Sequence, residues 1–256
     1  MKIGICTDTH YDKDLYPSRA AVASDIVSFL NSRSVDFILH LGDIFEQFTG
    51  ADTAAKEQCC IDNLALYEPP WTNATVQVYW LLGNHDHWGV TNDFFIQNAK
   101  YTPSENFIIN RGDWRFLCYL NIDLDYFGST KETLVWLEKQ LDLAKLDGKK
   151  VIICTHCQID QFYPGNPARY TSFPYSGYSY NADEQLRVID DAQAMGVDIR
   201  YVFMGHCHAN EEISRKGITY YEFKAGGDDG ACAVVEIKDD DSLVIEGRAS
   251  QSSYNI

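Results

Sequence analysis

Residues 2–10 read KIGICTDTH, an apolar run from Lys2 to Cys6 that closes on Asp8 and His10. Short, nearly continuous apolar runs of this kind suit strands covered on both faces. The same grammar recurs four times: Phe37 to Leu41 runs into HLGD at 40–43, Val76 to Leu82 into GNHDH at 83–87, Val151 to Cys154 into Thr155-His156, and Tyr201 to Met204 into GHCH at 205–208. All seven histidines lie in or beside these five segments. Histidine, aspartate and asparagine supply the nitrogen and oxygen atoms that bind intermediate divalent metals, so the pattern predicts one metal centre at strand ends. Along a strand, residues i and i+2 face the same side, which predicts that Asp8 with His10, and His206 with His208, each present two donors to one metal. One such pair is weak evidence. Asp8, His10, Asp43, Asn84, His156, His206 and His208 together, all just beyond strand ends, fall where open α/β sheets gather their crevice residues.

Between the runs lie helix patterns. Ser18 to Leu30 follows Pro17 and Ser18 as start signals, and Ala51 to Leu66 is a second stretch. Ser129 to Leu146 has Ser129 and Glu132 at capping-box spacing and a stripe of Leu134, Leu137, Leu141 and Ala144; Ala182 to Met195 has Asn181 as cap and Gly196 as stop. The tail carries period-2 stretches at Thr219 to Phe223, Ala231 to Ile237 and Leu243 to Glu246, read as antiparallel strands joined by turns. Strands alternating with helices, then a strand-rich part from about residue 209, predict an α/β fold, a layered α/β sandwich. The site segments stretch from Asp8 to His208, so dividing the chain would divide the site; one domain over 1–256 is expected.

Twenty-one basic against 37 acidic residues give a formal charge of −16, which repels polyanions and disfavours duplex nucleic acid or an anionic membrane surface as partner. A small phosphorylated substrate is compatible with that charge, because bound cations invert the local field. MKIGICTDTH enters a strand pattern with no signal-peptide core, and no apolar run approaches the length of a membrane span, so a soluble cytoplasmic protein is expected. The eight cysteines sit mostly inside apolar runs and read as reduced core residues; the vicinal pair Cys59-Cys60 reads either as buried helix packing or as a reactive couple. C-x-x-C at 154–157, with Cys207, has the spacing of half a structural zinc site, without a matching second half.

The ordered series D8-x-H10, G42-D43, G83-N84-H85-D86, H156 and G205-H206-x-H208 resembles the motif series of the calcineurin-like metallophosphoesterases. That resemblance implies a metallophosphoesterase-like sandwich of two mixed β-sheets flanked by helices. It further implies that Asp8, His10 and His208 hold one metal, that Asn84, His156 and His206 hold the other, and that Asp43 bridges them. Two cations about 3.5–4 Å apart clamp a phosphate oxygen and lower the pKa of a shared water for in-line attack. His85 then faces the substrate, as general acid or as donor to transition-state charge, and Asp86 either orients His85 by a hydrogen bond or is a turn residue. Manganese, iron and zinc all suit this donor set.

His40 reads either as an outer partner of a ligand or as a satisfied core histidine, and His87 either as substrate-reaching or as an exposed loop residue. Two departures from relatives are Glu46, where many have aspartate or asparagine, and Gln158 close after His156, where many have proline. Residues 158–181, with five tyrosines and two phenylalanines, read either as an aromatic lid or as a loop packed on the sheet edge, and Arg169 within it either as a phosphate partner or as a solvated loop arginine. The Asn181-led helix and Thr133 to Leu141 resemble relatives acting on cyclic nucleotides and nucleoside diphosphate derivatives. The expected activity is hydrolysis of a phosphodiester or pyrophosphate bond of a small nucleotide-like metabolite. A phosphomonoesterase or protein phosphatase, and a non-catalytic binding module keeping the fold, are the competing readings.

Overall fold

Each apolar run that precedes a site segment is a strand. The computed structural model describes residues 1–122, 128–159 and 181–255, and among them β1 is Lys2–Cys6, β2 Phe37–His40, β3 Val78–Trp80, β6 Lys150–Cys154 and β7 Asp198–Met204. Two strands in the middle of the chain, β4 (Phe107–Arg111) and β5 (Trp114–Cys118), and two late ones, β8 (Glu211–Arg215) and β12 (Tyr254–Asn255), carry no comparable apolar run closing on a site segment. The tail adds β9 (Ile218–Glu222), β10 (Cys232–Ile237) and β11 (Leu243–Arg248).

The strands form two six-stranded sheets, ordered β12-β11-β10-β1-β2-β3 and β4-β5-β6-β7-β9-β8. Both sheets are mixed. In the first, β1, β2 and β3 run parallel and β10 lies antiparallel to β1; in the second, β5, β6, β7 and β9 run parallel between the antiparallel edge strands β4 and β8. The tail therefore departs from a simple antiparallel meander: β9 joins the second sheet parallel to β7, while β10 joins the first. Period-2 patterning reports a half-buried strand but not which partner it pairs with.

Among the described residues five helices flank the sheets: α1 Arg19–Ser32, α2 Thr53–Trp71, α3 Asn92–Asn98, α4 Lys131–Leu146 and α5 Ala182–Ala194. Ile3, Ile5, Phe37, Leu39, Phe116, Ile152, Phe203 and Val235 fill the space between the sheets. Across it Phe37 and Phe116 meet edge to face at 5.2 Å, a geometry that adds about 0.5–1.5 kcal/mol to the burial itself. Ala23, Ile26, Leu30, Leu64 and Trp71 seal α1 and α2 onto the first sheet, and Leu137, Leu141, Leu186 and Ile189 seal α4 and α5 onto the second. The layers are helix, sheet, sheet, helix.

Two caps differ from expectation. The side chain of Thr130, not Ser129, accepts from Thr133 N–H and starts α4. Asn181 precedes α5 without capping it: its amide instead accepts from Ser129 N–H and donates to the Ser129 carbonyl, each at 2.9 Å, pinning the start of α5 to the loop before α4. The aromatic stretch at 160–180, with Arg169, lies outside the described residues. No helix among the described residues is long and apolar enough to cross a membrane.

Candidate metal centre

Because β1, β2 and β3 are parallel, and β6 is parallel to β7, their C-terminal ends reach one rim of the sandwich, and the five site segments are the turns that leave it. The turns interlock. Asp8 N–H donates to the Gly42 carbonyl, His10 N–H to that of Asp43 and Gly205 N–H to that of His156. A Cβ on Gly83 would stand 2.3 Å from Asp43 Oδ1, and one on Gly205 2.2 Å from Thr7 Oγ1, so these motif glycines exist to let the turns touch.

The strand-based reading of Asp8-x-His10 and His206-x-His208 gives way to a different geometry. β1 ends at Cys6 and β7 at Met204, and Asp8, His10, Asp43, His206 and His208 all hold positive φ, between 47° and 74°. Non-glycine residues there cost about 1–3 kcal/mol each and persist only where surroundings over-determine them. Here left-handed turns, rather than strand alternation, aim the side chains inward. Arg19 helps to hold one of them, donating to the His10 carbonyl at 2.7 Å and to Asp228 at 2.7 Å.

The seven residues read as ligands meet around two adjacent points. At the first, Asp8, His10 and His208 offer donor atoms to one position, with His10 Nε2 3.2 Å from His208 Nε2 and Asp8 Oδ1 3.2 Å from His208 Nε2. At the second, His156 Nε2 lies 3.2 Å from Asn84 Oδ1, and the His156 and His206 rings cross at 5.1 Å. Asp43 Oδ2 faces both, 3.6 Å from His10 Nε2 and 3.2 Å from His156 Nε2. Donors about 2.1 Å from a shared cation stand roughly 3.0–3.4 Å apart, so the spacing suits metal ligation.

Two buried atoms support the fit. Asp8 Oδ2 accepts from Thr7 Oγ1 at 2.6 Å and from His206 N–H at 3.0 Å, while Oδ1 is buried without a hydrogen bond and faces His10 and His208. His206 Nδ1 is also buried without a hydrogen bond. Burial, followed by the neighbouring His156, pushes the His206 imidazole down to about 4, which keeps it neutral as a ligand must be. At His156 burial also works against charge, but Asp43 outweighs it and raises the imidazole to about 9. His10 rises to about 11 for the same reason, with Asp8, Glu46 and Asp43 outweighing burial.

His85 stands at the rim, partly exposed. Its Nδ1 donates to the Glu46 carbonyl at 2.5 Å, which leaves Nε2 for an incoming group. The expected bond from Asp86 to His85 is replaced by another role. Asp86 is fully buried; Oδ1 accepts from Ile44 N–H and Phe45 N–H at 2.8 and 2.9 Å, and Oδ2 from Gly83 N–H at 2.8 Å. It staples the 83–86 turn to the 43–45 turn. Burial and then Asp43 push its carboxyl up to about 7, against the pull of those amides.

His40 is a satisfied core histidine, with Nδ1 accepting from Gly42 N–H at 3.2 Å and Nε2 meeting Thr9 Oγ1 at 3.0 Å, and burial holds it neutral by lowering it to about 3. His87 fits neither expectation, being buried at 1% and bonded through Nδ1 to Asn92 Oδ1. All eight cysteines are free, and Cys154 packs between the sheets, away from Cys157, so no zinc site forms from the C-x-x-C pair. Gln158 donates to the buried Glu222, whose other oxygen accepts from Ala209 N–H at 3.2 Å. Glu46, noticed in the sequence only as a departure, sits with Oε2 3.2 Å from His10 Nδ1 and Oε1 3.9 Å from His85 Nδ1.

The sequence model of the calcineurin-like phosphoesterases matches residues 1–210. No curated protein matches the sequence. Among solved structures, a dimetal phosphatase from Danio rerio superposes with a TM-score of 0.76 at 15% identity, covering 100% of this chain and 98% of its own. GAP50 of Plasmodium, described as the anchor in the inner membrane complex, gives 0.65 at 16%, covering 100% and 89%. Purple acid phosphatase PPD1 from yellow lupin gives 0.66 at 17%, covering 100% of this chain and 52% of its own. At these identities the likeness is one of fold.

Proposed function

This chain belongs to the calcineurin-like phosphoesterase family, and on that premise we propose that it hydrolyses a phosphodiester or pyrophosphate bond of a small nucleotide-like metabolite. Membership makes it a metal-dependent phosphohydrolase acting on a phosphorylated substrate. The observation that carries the reading is the shared carboxylate: Asp43 Oδ2 lies within 3.6 Å of one ligand histidine and 3.2 Å of another from different turns.

In this reading Asp8, His10 and His208 hold one cation, Asn84, His156 and His206 the other, and Asp43 both; manganese, iron or zinc satisfies the donors. A dinuclear centre supplies charge neutralisation for phosphoryl oxygens and lowers the pKa of water for in-line attack. The chain's own residues do the rest. His156 Nδ1 donates to the Leu41 carbonyl at 2.9 Å, fixing the ring so that Nε2 points into the centre. His85, anchored through Nδ1, presents Nε2 toward the leaving oxygen, where an N–H donates a proton or a hydrogen bond. Asp86 acts through the turn that carries Asn84 and His85.

The fold also serves proteins described by a binding role, GAP50 being called an anchor. Complete retention of the seven donors, with Asp8 Oδ1 buried among ligand histidines and without a hydrogen bond, favours catalysis here. The test is reconstitution of metal-stripped protein with manganese, iron or zinc, metal counting, and assay against phosphomonoesters, cyclic nucleotides, dinucleotide pyrophosphates and aryl diesters. Two metals per chain and faster cleavage of diesters or pyrophosphates are expected. Good monoester turnover with none on diesters would reverse the assignment.

A further inference from the structure

The indole of Trp88 stands at the mouth of the metal centre, 44% exposed and edge-on to His85, with ring centroids 4.6 Å apart. Trp71, Trp80 and Trp114 are 7% exposed or less, and an aromatic ring left in water forgoes burial that stabilises the others. The backbone imposes this exposure. Phe48 N–H donates to the Trp88 carbonyl at 2.8 Å and Trp88 N–H to that of His85 at 3.1 Å, while His87 turns inward to Asn92, so residue 88 faces out.

Trp88 lines a cleft of about 340 Å³ together with Gln47, Thr49 and Lys56. That volume is in the small-ligand range. Lys56, in the first turn of α2, has no carboxylate partner among the described residues, in a chain of charge −16. Trp88 connects this cleft to the metal centre through His85, whose ring meets that of His10 at 4.7 Å and that of Trp88 at 4.6 Å.

We infer that this cleft receives the leaving half of the substrate, and that this half carries a nucleobase stacked on the free face of Trp88, with Lys56 meeting an anionic group of the same half. The inference rests on His85 facing the leaving oxygen. An aryl ring bonded directly to that oxygen would end at His85. A nucleobase, held a ribose away from its phosphate, reaches the next ring outward.

Calorimetric titration of the manganese-loaded full chain with adenosine 5′-monophosphate and with ribose 5-phosphate compares two ligands that differ in the base. Stacking on an aromatic ring predicts at least roughly tenfold tighter binding of the nucleotide. Trp88→Ala is expected to bring the two ligands within about twofold of each other and Trp88→Phe to retain most of the preference. Equal affinities in the unmodified protein, or an undiminished preference in Trp88→Ala, would overturn the subsite. Lys56→Met is expected to weaken the non-hydrolysable α,β-methylene adenosine diphosphate more than the monophosphate, and equal weakening removes Lys56 from the site. Binding is read here without turnover, so base discrimination in a protein that cleaves no diester or pyrophosphate strikes the proposed reaction and leaves the subsite standing.

Discussion

Glu46 Oε2 lies 3.2 Å from Nδ1 of His10, while the backbone carbonyl of Glu46 takes Nδ1 of His85. One residue therefore steadies two imidazoles with different duties. The carboxylate, held below its usual range mainly by its bond to His10, anchors the outer nitrogen of a proposed ligand histidine so that Nε2 keeps its aim. Glu46→Ala is expected to cut turnover about 10–100-fold and to weaken one metal equivalent, as such outer partners do. Glu46→Gln, which keeps an acceptor oxygen, should recover much of the metal affinity. Elemental analysis after dialysis, read beside kcat, separates the two; full metal content and full rate in Glu46→Ala would show that the contact is incidental.

Asp86 predicts a different signature. Its two oxygens satisfy three buried amides, and charge-assisted bonds of this kind contribute about 1.5–3 kcal/mol each. Asp86→Asn sets an NH₂ group against at least one amide donor, so a stability loss of about 2–4 kcal/mol in urea denaturation is expected. A variant of unchanged midpoint would mean that the staple is dispensable.

His85 should behave in the opposite way. It contributes no donor to either set of ligands in the proposed reading and sits at the rim, so His85→Ala is expected to lower kcat by about 10²–10⁴ with metal content nearly intact. If turnover survived, the proton or hydrogen bond to the leaving oxygen would have to come from another group.

These residues also show what the sequence could tell. Asp8, His10, Asp43, Asn84, His156, His206 and His208 were legible because parallel strands deliver their ends to one rim, so residues 200 positions apart share a crevice. Their aim was not legible: i and i+2 alternation suggested extended chain, and the rim uses left-handed turns instead. β4 and β5 leave little trace in the sequence because Phe107–Arg111 lies on an edge and carries asparagine and arginine, while Trp114–Cys118 includes a buried Arg115 that bonds Asn110 and Asp147. Glu46 and Asp86 were visible as residue types. Their partners are a histidine 36 positions away and amides 41 and 42 positions away, and long-range hydrogen bonding leaves no periodic trace.

The left-handed turns make the rim's stability depend on what it holds. Five of the proposed ligands keep φ values that an L side chain tolerates at about 1–3 kcal/mol each, and Asp8 Oδ1 is buried without a hydrogen bond. Like-charged Asp8 and Asp43 face the same histidines, so removing cations leaves strain and charge together at one place. Chelation is therefore expected to lower the thermal midpoint, and metal at a hundred times its Kd to return about 2.7 kcal/mol per site. Calorimetric scans of stripped and manganese-loaded protein measure this directly. In Asp43→Asn the gain on adding metal should shrink by more than in Asp8→Asn, because in the proposed reading Asp43 holds both cations and Asp8 one; equal losses would argue that the two cations bind independently of the shared carboxylate.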